Sequence, residues 1–471
     1  MDLVLFPNQL FEIKLLKFTT PMVKTIYFIE DPVFYGDRKG STAVENLQLN
    51  QLRIAYMYVV HQRYIKQLKE AGYKVVFKSI LDLFGKDISY SFLPKKCILY
   101  DPCDHVLMKR LQSTDIQWTL LESPSFLLSN QDIQTYRKDK KTKRLQHYDF
   151  YKFVKHKLNI LEKVESQDKY NREPYRKDIP MPPNAFQHLF SNPKEWASAI
   201  KWLEKTPFKN NPSPSDEWNT IIKTYLIHLP LTSADVKHWL LDFIKYRFNN
   251  YGKYQDVVTS KNVLLYHSGL SIYLNNGLVT PMEVIQAVSK KKTDIQNYEG
   301  FVRQVIGWRE YCRMYYLQVA STDFRKNIFK QPLQKKLGEA WYNGQTDIPI
   351  VDETIRYAFN YGYLNHIQRL MVMANYMTLS NIHADRIYQW MYEFSLDSYE
   401  WVMIFNCYSM GSWSDGGLAM RKPYISSANY ILKMTDATKG DWIIIWNKRF
   451  QTFLKKHQSI LKHTQLANLV N

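Results

Sequence analysis

The stretch Glu299–Tyr316, EGFVRQVIGWREYCRMYY, and a second about fifty residues later, Gly362–Val372, GYLNHIQRLMV, carry most of what this sequence says. Each reads as a helix, and each places polar groups where a plain core helix has no use for them. Gln304, Trp308 and Tyr311 recur at i, i+4 and i+7, a spacing that puts them on one helical face. An amide, an indole and a phenol side by side suit a flat heteroaromatic ligand with hydrogen-bonding edges. In the second stretch Asn365, His366 and Arg369 gather on one side. Either helix alone reads equally well as a buried helix with satisfied polar residues, so the weight falls on their combination with what surrounds them.

Upstream, Tyr251–Val284 holds the phrase His267-Ser268-Gly269-Leu270-Ser271. It sets two hydroxyls and a glycine where a helix begins, an arrangement suited to phosphate because helix starts present free N–H groups; a serine-capped helix start is the plainer alternative. Downstream, Asp397–Tyr430 contains Asp397, Met403 and Asn406, then Lys422-Pro423-Tyr424-Ile425-Ser426-Ser427-Ala428-Asn429.

The chain has 63 Lys and Arg against 44 Asp and Glu, a net of +19. That excess points to an anionic partner, nucleic acid or a membrane surface. Cys97, Cys103, Cys312 and Cys407 form no C-x-x-C pair and no zinc spacing, which argues for a reducing compartment. No secretory leader and no membrane-length apolar run is legible. The expectation is a cytoplasmic monomer with no membrane partner.

The first part of the chain alternates short β-branched or aromatic runs with helical stretches. The runs are Leu3–Phe6, Thr25–Glu30, Lys74–Phe77, Cys97–Tyr100 and Trp118–Leu121, and Leu52–Ala71 is a long helix ending at Gly72. Alternation of this kind predicts a doubly wound parallel sheet. No G-x-G-x-x-G follows the first strand, so a nicotinamide fingerprint is absent. From about 195 onward the pattern is helical and rich in Trp and Tyr. The expected organisation is an α/β domain over 1–135, a charged connector over 136–195, and an all-α domain over 196–471. The connector includes the basic cluster Arg137–Arg144, read as a solvated linker or a DNA-facing stripe.

The phrases EGF-x-RQ-x-x-GWRE-Y and G-Y-x-x-H-I-Q-R-L-M-V resemble the flavin-pocket helices of the photolyase/cryptochrome superfamily, closest to its prokaryotic branch of iron–sulfur bacterial cryptochromes and (6-4) photolyases. The resemblance runs from Leu3 to about Asp441. It implies FAD held by Tyr254, the His267–Ser271 segment, Gln304, Trp308, Arg309, Tyr311, Asn365, His366, Arg369, Asp397, Met403 and Asn406, with Arg369 and Asp397 paired beside the ring. It implies UV-damaged DNA as partner, contacted by Lys422 and Tyr424, and light-driven electron transfer from reduced FAD to a flipped-out pyrimidine lesion. His366, Gln304 and Tyr424 would serve the lesion, and Trp390 would pass electrons to the flavin. A ribityllumazine-type antenna is implied in the α/β domain near Asn8, Gln9, Leu10 and Asp37.

The chain departs from the family in three places. Where the family has cluster cysteines this chain has Ile350, Thr438 and Asp441, and none follows Cys407, so no iron–sulfur cluster is expected; the apolar run Trp442–Trp446 is expected to plug that region instead. Where (6-4) enzymes read His-His, this chain reads Asn365-His366. Gln304 argues the other way, since (6-4) enzymes carry Gln there and cyclobutane-dimer enzymes usually Glu. Trp390 is followed by Met391 rather than Tyr, leaving Tyr342, Tyr361, Tyr363 and Trp401 as alternative relays. The resulting expectation is (6-4) photoproduct repair without a cluster, with dimer repair or a blue-light signalling role as alternatives.

Overall fold

Five short apolar runs near the N-terminus pair side by side. In the computed structural model, which describes residues 2–139, 145–187, 189–191, 193–319 and 323–470, they form β1 (Asp2–Leu5), β2 (Thr25–Ile29), β3 (Lys74–Lys78), β4 (Lys96–Tyr100) and β5 (Gln117–Leu121), all parallel in the order β3-β2-β1-β4-β5. In the centre Leu3 pairs Ile26 on one side and Ile98 on the other. Leu3, Val4 and Leu5 are fully buried, as expected of a strand covered on both faces. The helix Gln51–Glu70 links β2 to β3; Asn50 caps it by accepting from the Leu52 N–H at 3.0 Å. These elements match the sequence reading closely.

Beyond the sheet the described residues form helices from Asn130 to the C-terminus. One apolar cluster runs without a break from Leu3 in the sheet to Leu461 in the helical region. Polar groups fasten the two across this junction. Arg38, fully buried, bridges Asp104 (3.0 Å) in the α/β part and Glu400 (2.9 Å) in the helical part. Arg53 donates to the Ser398 carbonyl at 2.7 Å, and the Glu310 carboxylate receives the Leu127 and Leu128 N–H groups. A buried charge is tolerated only when paired and hydrogen-bonded. These bridges therefore fix the helices bearing Glu310 and Glu400, both of which line the site below.

Three helices in the helical region are not α-helical throughout. Each widens into a π-helical stretch: Arg303–Trp308, Gln368–Ala374 and Phe405–Gly411. All three border the same cavity.

The basic cluster is described only in part. Arg137 and Lys138 lie in the last turn of the helix Asn130–Asp139, and residues 140–144 fall outside the described residues. The run at Trp442–Trp446 differs from the expected plug: it is the start of an α-helix, with Trp442 and Trp446 buried and Ile444 and Ile445 exposed. Its buried face is the two indoles one helical turn apart, continued along the helix by Phe450, Phe453 and Leu454.

Candidate active site

The helical region surrounds a cavity of about 610 Å³, within the usual size of cofactor sites. Four sequence segments converge on it. His267, Ser268, Gly269, Leu270 and Ser271 form one wall, Gln304, Trp308 and Arg309 a second, His366 and Arg369 a third, and Asp397, Met403 and Asn406 a fourth, with Lys422 and Tyr424 at its margin. Cys312 and Cys407 also line it.

The first wall is pinned from behind. Trp239 donates its indole N–H to the Ser268 carbonyl at 2.7 Å, and Arg247 donates to the His267 carbonyl at 3.0 Å. His267 faces two carbonyls, of Leu264 and Gln255. Burial lowers its imidazole more than those acceptors raise it, so it stays neutral and structural. The helix that follows, Ser271–Asn276, starts at the cavity.

On the second wall Arg309 donates to Asn275 Oδ1, to the Leu274 carbonyl (3.0 Å) and to the Ser125 carbonyl (3.1 Å), and its guanidinium lies 4.7 Å from the Trp401 ring centre. Burial lowers it to about 10, still charged at neutral pH. Its Nε is buried with no partner. An arginine satisfied only by neutral carbonyls is suited to an anion entering the cavity.

Between the third and fourth walls stands one ion pair. Arg369 meets Asp397 with two parallel bonds of 2.9 and 3.1 Å and gives its Nε to the Leu364 carbonyl at 2.8 Å. Burial pushes the Asp397 carboxyl up, but the Arg369 guanidinium and the Ser271 and Ser395 hydroxyls outweigh it and hold the acid below its ordinary range. The pair is thus charged on both sides. Asn406 gives its amide N–H to the Val402 carbonyl at 2.8 Å, which leaves its carbonyl oxygen oriented by that bond.

His366 is enclosed by cavity walls yet its ring is exposed to the cavity space. Burial, with Arg369, His267 and Arg172 pushing the same way, lowers it to about 4. Gln304 gives its Nε2 to the Gly300 carbonyl at 3.2 Å, so its oxygen is the free edge. The Lys422 ammonium stands 5.6 Å from the Tyr424 ring centre. That segment is held by Asn375, which exchanges bonds with Ser426, and by the Trp446 indole N–H on the Ser426 carbonyl.

Four residues expected at the site stand outside its lining. Tyr311 is one helical step off: the π-helical stretch Arg303–Trp308 inserts extra residues per turn, so the next cavity-facing position is Cys312. Tyr311 turns to the other side, against His147 and Phe405, and donates to the Ala419 carbonyl at 3.1 Å. Tyr254 stacks on Tyr266 at 5.2 Å in a separate small cluster, and Tyr251, three positions earlier, takes the cavity place. Asn365 is drawn off by capping: its Oδ1 accepts the Gln368 N–H (2.9 Å) and Gln368 Oε1 accepts the Asn365 N–H (3.1 Å), a reciprocal cap. Trp390 is fully buried one layer back, its indole N–H on the Trp341 carbonyl at 2.6 Å, while its neighbour Met391 reaches the lining. In the α/β part, just beyond the end of the central strand, Asn8 and Gln9 donate to the Pro102 and Tyr100 carbonyls, Leu10 is fully buried, and Asp37 accepts from Arg110.

Sequence reasoning missed Arg172, Asp256 and Tyr430, all in the lining. Arg172 comes from the charged connector. Asn171 beside it is wedged between Gly252 and Gly300, where a Cβ would stand 2.4 and 2.6 Å from its amide. Only glycine at both positions admits that approach. Arg172 then bonds Asp168 at 2.8 Å and lies 3.5 Å from Asp256. Burial, aided by Asp168 and opposed by Arg172, raises Asp256 to about 6. The sequence signal available was the glycine pair, which reads only as helix weakness until the partner segment is known.

Among the described residues no group of three or more His, Cys, Asp or Glu is placed to hold a metal, and all four cysteines are free and buried.

The fold, a parallel α/β unit followed by a helical unit, is similar to that of solved photolyases. A bacterial class III photolyase of Agrobacterium tumefaciens aligns with a TM-score of 0.59 at 15% identity, over 96% of this chain and 86% of that one. A photolyase of Sulfolobus tokodaii, solved with two FAD molecules, aligns with a TM-score of 0.55 at 14% identity, over 98% and 100%. In sequence, a profile for deoxyribodipyrimidine photo-lyase-related proteins matches residues 3–217, and a (6-4) photolyase of Agrobacterium fabrum is 25% identical over 443 residues, 87% of this chain and 84% of that one. In sequence the chain is thus similar to photolyase-related proteins, and its fold is that of solved photolyases.

Proposed function

We propose that this chain is a FAD-dependent photolyase that repairs (6-4) pyrimidine photoproducts in DNA. The observation that carries it is the convergence of the four segments on one cavity with a charged Arg369–Asp397 pair inside it. The residues suit FAD. Arg309, whose partners are carbonyl oxygens, and the backbone at Ser268–Ser271 would hold the pyrophosphate. Arg369–Asp397, Asn406 and Met403 would hold the ring, and the buried, desolvated wall would exclude water. Bound FAD supplies light-driven one-electron chemistry that no side chain offers.

The chain's own groups do the rest. The guanidinium of Arg369, fixed by Asp397, stabilises negative charge beside it without moving. Gln304 offers an edge that discriminates by hydrogen bonding, and Tyr424 and Lys422, also in the lining, would meet a flipped base. Of the two imidazoles in the lining, His267 is spent on backbone carbonyls, and His366 is the one more exposed to the cavity space. It is neutral at pH 7 in the dry cavity, so it donates through its one N–H and becomes a stronger base as negative charge builds next to it.

A second reading has a specific observation behind it. Asn365 is spent on a helix cap, and His366 is depressed to about 4; a cyclobutane dimer can be split without net proton transfer. The test is to illuminate the reduced protein with oligonucleotides carrying one (6-4) product or one cyclobutane dimer and follow restoration of the bases. Restoration of the (6-4) substrate, lost by ~10²-fold or more in His366→Ala with flavin and DNA still bound, supports the proposal. Restoration of the dimer alone hands the function to the second reading, and neither, with FAD bound, leaves a light-signalling flavoprotein.

A further inference from the structure

Behind the second wall an imidazole lies flat against the wall's indole. His147 opens the helix His147–Leu158 and stacks on Trp308, with ring centres 3.7 Å apart and planes 13° from parallel. At that spacing the two faces are in van der Waals contact. Tyr151, one turn further along, stacks on His147 in its turn at 6.0 Å and 11°. Trp308 lines the cavity, while His147 and Tyr151 are buried behind it.

The stack is held from several directions. The Leu145 N–H donates to the Leu418 carbonyl at 3.1 Å, and Arg421 donates to Gln146 Oε1 at 2.7 Å. These bonds tie the start of the helix to the segment that leads into Lys422. Tyr311, anchored on the Ala419 carbonyl, stands nearly perpendicular to both rings, 5.2 Å from His147 and 6.1 Å from Trp308. Gly307 leaves the room: a Cβ there would stand 3.0 Å from the Tyr151 ring and 3.2 Å from His147 Nε2. The π-helical stretch that carries Trp308 thus also admits the imidazole behind it. Burial, reinforced by Arg303 and only partly opposed by Asp168, lowers His147 to about 3. The ring is neutral at working pH, and the contact does not change with protonation there.

An indole clamped on one face is presented to the cavity in a fixed plane. A base that packs on it then does not have to order it, so less of the stacking energy is lost on binding. Building on the reading above, in which a flipped base meets the Gln304 edge, we propose that His147 is the positioning residue for Trp308 and fixes the plane on which a flipped pyrimidine packs. His147 acts only through Trp308. It raises the affinity of the cavity for an extrahelical base and leaves flavin binding to the other walls.

The test is fluorine NMR of the flavin-loaded protein carrying fluorotryptophan, with the Trp308 resonance assigned by its loss in Trp308→Phe. It is read beside the binding of two oligonucleotides, one carrying a single (6-4) product and one undamaged. The parent should give one narrow Trp308 resonance that does not move across the range where an ordinary imidazole titrates, about pH 5 to 8. His147→Ala should shift and broaden it and weaken damaged-DNA binding by ~10-fold, with FAD content and undamaged-DNA binding at the parent level. His147→Phe supplies another flat ring and should restore both readouts. His147→Leu fills space without a ring face and should restore neither. The comparison of Phe with Leu decides the matter where the alanine gap unfolds the helix start. A parent chain that binds no FAD overturns the proposed function and the base-binding role with it. A parent that binds FAD and damaged DNA, while Leu serves as well as Phe or His147→Ala changes neither resonance nor affinity, overturns the role of His147 alone. Loss of FAD in a folded His147→Ala protein overturns it too, since the residue would then hold the site as a whole.

Discussion

Two buried acids show what single residues do here, and they behave oppositely with pH. Asp397 is held below its ordinary range by Arg369. Its contribution is present above the unfolded value near 4 and is lost as pH falls through the lower folded value. Removing its partner should be costly: Arg369→Ala strands a buried carboxylate and should lose about 3–5 kcal/mol in urea unfolding at pH 7, with flavin binding lost as well. Glu393 is raised to about 7. The folded state then binds more protons than the unfolded between about 4.5 and 7, so stability falls as pH rises through that window and the penalty is complete above it. Glu393→Gln removes the penalty and should stabilise the protein at pH 8 by up to about 3 kcal/mol, while changing little at pH 4. Urea titrations at the two pH values check this; equal effects at both would contradict it. At this scale much was legible. Arg369, Asp397, His366 and Asn406 were read correctly as cavity residues, because their chemistry is costly to bury without a use. Asn365 was not, because an asparagine three residues before a glutamine also makes a helix cap, and the cap took it. Glu393 was invisible, since a lone Glu in an aromatic helix carries no sign of its partners.

The elements that matter are the three helices that widen into π-helical stretches at the cavity. A π-turn offsets every later residue relative to a continuous α-helix. That offset is why Cys312 rather than Tyr311 lines the cavity, and why a 3.6-residue reading of Glu299–Tyr316 went astray after Trp308. Deleting Ile306 should let the helix close into a regular α-form. Far-ultraviolet circular dichroism should then stay close to the parent while Arg309 and Cys312 rotate out of register and flavin is lost. Retention of flavin by a folded deletion variant would show that the widened turn does not set the site. The helix Trp442–Lys456 offers a second check. Trp446 packs on Tyr376 at 4.8 Å and holds the Ser426 carbonyl, so Trp446→Ala should cost about 3–5 kcal/mol by thermal or urea unfolding and loosen the segment bearing Lys422 and Tyr424. The five strands were readable because each is a short β-branched run bounded by turns. The helix widenings were not, because nothing in local composition separates a π-turn from an α-turn; they form where the walls demand it.

For the whole molecule, one apolar cluster joins sheet to helices, and buried ion pairs fix the register between them. The doubly wound sheet and the helical remainder were both legible from periodicity. The approach of the connector to the cavity through Gly252 and Gly300 was not, because that contact joins segments far apart in sequence. The net charge of +19 belongs to this scale. DNA binding should weaken by at least ~10-fold between 50 and 200 mM salt as phosphate contacts release counterions; gel-shift titrations across that range measure it, and salt-independent binding would argue against a phosphate interface. The central claim is that the cavity walled by Ser268, Arg309, Arg369 and Asp397 is a flavin site. Calorimetric titration of FAD into the flavin-free protein tests it most directly. The account predicts saturable binding at one FAD per chain, abolished in Arg369→Ala and accompanied by quenching of tryptophan emission, since Trp308 and Trp401 line the cavity. Failure of the folded protein to bind FAD, or binding that Arg369→Ala leaves unchanged, would contradict it.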